Sequence, residues 1–232
     1  MRYSDLLLAC AVCFAALVQP AGAQMPASPG VYCITYFEVD PAALRKTENL
    51  LRQFADATRK EDGNGELTLL REIGRSGRFA IVEAWRDKAA LDAHGAAMKA
   101  LGDKLQPVFA SPFDARSFLP LSVSPVPAAG DMGRSIYVLT HVDVFPAGKD
   151  EVAAMVKQLA DDSRKDPGVQ RFDAVTWDGH ANHFHLIEAW SDRTTRQAHA
   201  LADHTKQFRV KLVPFEGALY DERFYEVVRK SE

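Results

Sequence analysis

The nine residues Phe79-Ala80-Ile81-Val82-Glu83-Ala84-Trp85-Arg86-Asp87 return 105 positions later as Phe184-His185-Leu186-Ile187-Glu188-Ala189-Trp190-Ser191-Asp192. Extended at that offset, 31–94 aligns with 136–199 without a gap, and 19 of the 64 pairs are identical. The matches include Tyr32/Tyr137, Thr35/Thr140, Pro41/Pro146, Gly63/Gly168 and His94/His199. Beyond the histidines the offset becomes 107, where Asp114 and Arg116 meet Asp221 and Arg223. A period of about 100 residues is domain-sized, so the chain carries a duplicated domain rather than a short-repeat solenoid.

Working outward from the repeated stretch gives one unit's order. Each copy opens on a run rich in β-branched and aromatic residues, Val31 to Val39 and Ile136 to Val144, followed by Pro41 or Pro146 as a first-turn residue. The period then becomes helical. Leu44, Leu50, Leu51 and Phe54 mark one face in copy one, and Val152, Met155, Val156 and Leu159 do so in copy two. Gly63 and Gly168 close these helices. Strands are expected at 66–73 and 78–85, and at 170–177 and 183–190 with Asp178-Gly179 turning the hairpin. Asp87 and Asp192 are placed to cap a second helix, and final strands fit 114–121 and 218–228. The order β-α-β-β-α-β is ferredoxin-like. Such a sheet has helices on one face only, and a second copy can cover the other. The domains are expected at 30–121 and 134–230, joined by a Pro- and Gly-containing linker over 122–133.

The first 23 residues differ in kind. Arg2 precedes an apolar run from Leu6 to Val18, then Ala21-Gly22-Ala23. These are the parts of a secretory signal peptide cleaved after Ala23, and the run is short for a membrane span. A periplasmic or secreted product with no membrane attachment is expected. Cys10 and Cys13 would leave with the signal, so Cys33 remains without a disulfide partner and reads as a small buried side chain. A formal charge of −3 and the lack of a basic patch argue against nucleic acid.

The motif Glu-Ala-Trp-x-Asp, with a histidine nine residues after the tryptophan, resembles the antibiotic biosynthesis monooxygenase domain. The resemblance covers about 30–120 and 134–230. It implies an α+β barrel of two ferredoxin-like domains, here paired within one chain, and a monomer whose further self-association is left open. It also implies cofactor-independent oxygenation of quinol-like aromatics or, in a sister branch, haem degradation. That branch carries a first-strand asparagine where this chain has His141 and Tyr36, and a tryptophan about where His94 and His199 stand. Haem binding through His141 or His199 is the alternative to a cofactor-free reaction.

Several residues are candidates for chemistry. His94 and His199 occupy the family position that lines the pocket between helix and sheet, where a neutral imidazole could take a phenolic proton. Glu83 and Glu188 lie among apolar neighbours; each reads either as a base of raised pKa or as a carboxylate bonded to a nearby arginine or tryptophan N–H. Trp85, Trp190 and Tyr36 are pocket-wall candidates, with core packing as the alternative. Six of the seven histidines lie beyond residue 140. His183 and His185 share a strand face, but two ligands without a third make no metal site, and none is assigned. The resulting expectation is an exported monooxygenase for a small apolar or aromatic substrate. Copy two would be the working half, with His199 and His141 handling protons beside Trp190 and Tyr36. A ligand- or haem-binding module without turnover is the alternative.

Overall fold

The computed structural model describes residues 28–124 and 135–228. The expected signal peptide and all but the first three residues of the expected linker lie outside them. Copy one contains β1 (Val31–Val39), α1 (Leu44–Thr58), β2 (Asn64–Glu72), β3 (Arg78–Trp85), α2 (Lys88–Leu105) and β4 (Phe109–Ser122). Copy two contains β5 (Ile136–Asp143), α3 (Lys149–Ser163), β6 (Val169–Trp177), β7 (His180–Trp190), α4 (Arg193–Ala200), α5 (Asp203–Leu212) and β8 (Asp221–Val227).

Local chemistry sets the element ends. The Asp87 carboxylate accepts from the Ala90 N–H at 2.8 Å, and Asp192 from Thr195 at 2.9 Å, so both aspartates cap as read. Gly63 and Gly168 take φ of 80° and 79°, the left-handed conformation that glycine adopts without strain. A Cβ at Gly63 would also stand 2.6 Å from that of Ala90. The turn therefore needs glycine both for its backbone and for the closeness of α2.

Each repeat orders its strands 4-1-3-2, and the repeats join through β2–β8 and β4–β6 into one closed eight-stranded barrel. Closure leaves no free sheet edge. The two uncovered sheet faces thus become one shared interior. Tyr32, Ile34 and Tyr36 of β1 pack there with Tyr137, Leu139, Ile187 and Tyr225. The outer faces hold two further cores beneath the helices, one around Phe37, Leu51 and Ile81, the other around Val138, Val156 and Phe172.

Two elements depart from expectation. β4 begins at Phe109, earlier than the expected 114, because Phe109 and Phe113 pack edge-on against Phe37, with ring centroids 6.1 and 5.0 Å away. The second helix of copy two is broken. Where α2 runs unbroken for 18 residues, Leu201 and Ala202 separate α4 from α5. This is where the repeat offset grows from 105 to 107, so the two extra residues are taken up as a corner. Among the described residues no helix is long and apolar enough to cross a membrane.

Candidate functional site

A cleft of about 590 Å³ opens in copy one between α2 and the outer face of β1, β3 and β4. Its space comes from small side chains. Gly95 and Gly102 on α2 line it with Ala115 and Ser117 on β4, and a Cβ at Gly95 would meet nothing within 4 Å. Leu91, Met98 and Phe113 supply apolar wall, as expected of a small-molecule site.

At its buried end stand Glu83, His94 and Cys33. β3 carries Glu83 outward, directly opposite Cys33 of β1, and both face α2. The α2 histidine lies between two carboxylates. His94 Nδ1 is 2.8 Å from Glu61 Oε2, and its Nε2 is 3.2 Å from Glu83 Oε1. The second approach is poorly aligned, so Nε2 and both Glu83 oxygens have no proper hydrogen-bond partner although all are buried. Burial opposes charge on the ring, but Glu83 and Glu61 outweigh it and the His94 pKa is raised. The Trp85 ring backs His94 at 4.8 Å between centroids and is fully buried. Burial, reinforced by Glu83, pushes the Cys33 thiol up to about 12, so it stays protonated and neutral.

Copy two repeats this framework but fills the space. Glu188 accepts from Trp190 Nε1 at 2.8 Å and pairs with Arg196 Nε at 3.0 Å, the arginine-or-tryptophan reading of the sequence. Burial pushes its carboxyl up to about 7 against the pull of Arg196. Arg196, at the position of Leu91, also reaches Glu222 at 2.6 Å and lies over Phe224. Phe224 stands where copy one has Ser117. His199 is 3% exposed, sandwiched near Trp190 and Phe172, and its Nδ1 meets Asp166 at 2.7 Å. Burial lowers its pKa to about 4. The open helix–sheet cleft therefore belongs to copy one, not to the copy expected to work. The reason is side-chain volume at positions that sequence comparison pairs but does not place in contact.

Tyr36 and His141 belong to neither cleft. They occupy matching positions on β1 and β5, face the barrel interior, and approach with ring centroids 5.5 Å apart. His185 joins them edge-on to His141 at 4.4 Å and bonds the Tyr36 hydroxyl at 3.0 Å. Burial with Arg223 and Arg116 nearby lowers the His141 pKa, and His185 is lowered well below its ordinary value. The grouping of His199 with His141, and of Trp190 with Tyr36, is thus divided between the barrel's outside and inside. His183 and His185 do not converge on a metal either: His183 turns to Asp143 at 3.0 Å.

The sequence reading missed Glu61, Cys33 as a wall residue, and Arg196. Laying the repeats side by side holds a trace of all three, since Glu61 pairs with Asp166, Cys33 with Val138 and Leu91 with Arg196. Of the two haem candidates, His199 is buried with its Nδ1 on Asp166, and His141 lines, with Tyr36, Arg116 and Arg223, an opening of about 570 Å³ separate from the copy-one cleft.

Comparison with known proteins agrees on the architecture. A family model for antibiotic biosynthesis monooxygenase matches residues 30–99 and again 135–211. The fold resembles that of a provisionally named monooxygenase from Fusobacterium nucleatum, with a TM-score of 0.77 at 16% identity, covering 87% of this chain and 94% of that one. A provisionally named monooxygenase from Lactobacillus acidophilus has a TM-score of 0.72 at 14% identity over 87% and 95% of the two chains. An anthrone oxidase-like protein has a TM-score of 0.65 at 14% identity over 87% and 92%. No curated protein matches the chain.

Proposed function

The chain belongs to the antibiotic biosynthesis monooxygenase family, a monooxygenase-like or small-molecule-binding module carried here twice, and on that premise we propose that the copy-one cleft oxygenates a quinol- or anthrone-like aromatic without a cofactor. One observation carries the reading. A carboxylate and an imidazole nitrogen, both buried and lacking aligned partners, stand at the head of a mainly apolar cleft. Buried polar groups are costly to leave unsatisfied, so such a pair is suited to a ligand that supplies the missing hydrogen bond.

The chemistry follows from that pair. With His94 protonated between Glu61 and Glu83, the open carboxylate oxygen of Glu83 accepts the acidic proton of the substrate. Glu61 holds the ring in place. The electron-rich anion then reacts with dioxygen; for an anthrone methylene the balance is one carbonyl formed and one water released, the substrate supplying all four electrons. Cys33 and the apolar wall exclude water from the anion. The apolar run Leu6–Val18 and the small residues at Ala21–Ala23 support export to the periplasm or beyond, with the chain acting as a monomer.

Oxygen uptake by the mature protein over a panel of quinols and anthrones tests this. Uptake should fall by about 100-fold or more in Glu83→Gln and His94→Ala, and persist in His199→Ala. Uptake no faster than buffer on every member of the panel would rule the reaction out.

A further inference from the structure

Copy two has a polar cluster that copy one lacks. Asp166, in the turn after α3, places Oδ2 2.7 Å from His199 Nδ1 and 3.1 Å from His204 Nε2. The three ligand atoms all lie within 4.8 Å of one another. His204 Nε2 is buried and has no aligned hydrogen-bond partner. At the matching positions copy one has Glu61, His94 and Ala97, so the third ligand is absent there. The two-residue corner between α4 and α5 is what brings His204 back over His199, their ring centroids 5.6 Å apart.

We propose that Asp166, His199 and His204 bind a divalent transition-metal ion that clasps the turn after α3 to the α4–α5 corner. Two imidazoles and one carboxylate suit zinc and its first-row neighbours rather than magnesium or calcium, which take oxygen ligands. Bonds of about 2.0–2.2 Å to nitrogen and oxygen place tetrahedral ligand atoms roughly 3.3 Å apart. The Asp166 contacts to His199 and His204, at 2.7 and 3.1 Å, would lengthen by about 0.6 and 0.2 Å, and the two imidazole nitrogens, no more than 4.8 Å apart, would close by at most about 1.5 Å. The side chains of Asp166 and His204 are 17% and 23% exposed, so an ion can enter from solvent and keep water as its fourth ligand. The site lies in the opposite repeat from the copy-one cleft, and its occupancy is independent of the reaction proposed there.

Full mature protein, dialysed against a chelator and titrated with Co²⁺, tests the site directly. The expected result is a visible absorption band saturating at about one ion per chain and displaced by Zn²⁺. Saturating Zn²⁺ should also raise Tm by several degrees. His204→Ala sits at a partly exposed position and should fold, yet bind about 100-fold more weakly; Asp166→Asn should do the same. A missing band with an unmoved Tm overturns the proposal. So does binding of equal strength and stoichiometry in both variants, which would place the ion elsewhere, such as at His183 and Asp143.

Discussion

Glu66 and Arg171 occupy the same position in the two repeats, and their side chains meet in a buried ion pair, Oε1 to Nη1, at 2.6 Å. Tyr36 and His141, another matched pair, meet toward the opposite end of the barrel. Matched residues that touch each other lie on the pseudo-twofold axis of the fold, as self-contacting residues do in an isologous dimer. A dimer of identical domains would put glutamate against glutamate or arginine against arginine there. Duplication within one chain allowed the two positions to diverge into opposite charges.

Arg171 is 1% exposed and also bonds Asp173 at 2.7 Å, so its loss leaves two carboxylates without their cation. Arg171→Met should lower stability by about 3–5 kcal/mol, measured by urea unfolding at neutral pH. A loss under about 1 kcal/mol would mean that the ion pair is not held in the dry interior described.

The same axis predicts how the halves associate. Expressed separately, residues 28–124 and 135–228 should each fail to form a stable homodimer, because like charges would face each other across the barrel. Mixed, they should form a one-to-one complex by size-exclusion chromatography. A stable homodimer of either half would contradict the charge argument.

The raised pKa of His94 gives stability a definite pH slope. Because the folded protein binds this proton more tightly than the unfolded chain, the contribution is full below the ordinary histidine value of about 6.5. It is lost as pH rises through the folded-state value. The stability difference between wild type and His94→Gln should therefore shrink as pH rises above about 6.5 through the folded-state value. A difference that grows with pH would show that the ring is held neutral.

Copy two supplies the design for closing copy one. Ser117→Phe, copying Phe224, should fill the cleft and reduce oxygen uptake by about 10-fold or more, with Tm within a few degrees of wild type. Unchanged uptake in a folded Ser117→Phe protein would move the reaction to another surface.

Much of the fold was legible because its determinants are local. Asp87 and Asp192 cap the helices that follow within three residues, while Gly63 and Gly168, expected to close the first helices, instead make the turns into β2 and β6, α1 and α3 having ended at Thr58 and Ser163. The family resemblance rested on the Glu-Ala-Trp-x-Asp motif, whose tryptophans prove to be fully buried. The site was less legible. His94 and Glu83 were identifiable one by one, but their joint contact depends on how α2 crosses β3, and Glu61 joins them from 33 residues upstream of His94.

The sequence by itself determined that a ferredoxin-like unit occurs twice, in what order its elements run and where the capped helices start, because periodicity, capping and turn chemistry act over a few residues. The barrel followed from the family resemblance, but only the tertiary structure decided that the copy-one cleft is open while Arg196 and Phe224 fill the other, and that Glu66 finds Arg171. Those outcomes depend on volume and charge brought together from distant segments, where a glycine facing a serine leaves space and an arginine facing a phenylalanine does not.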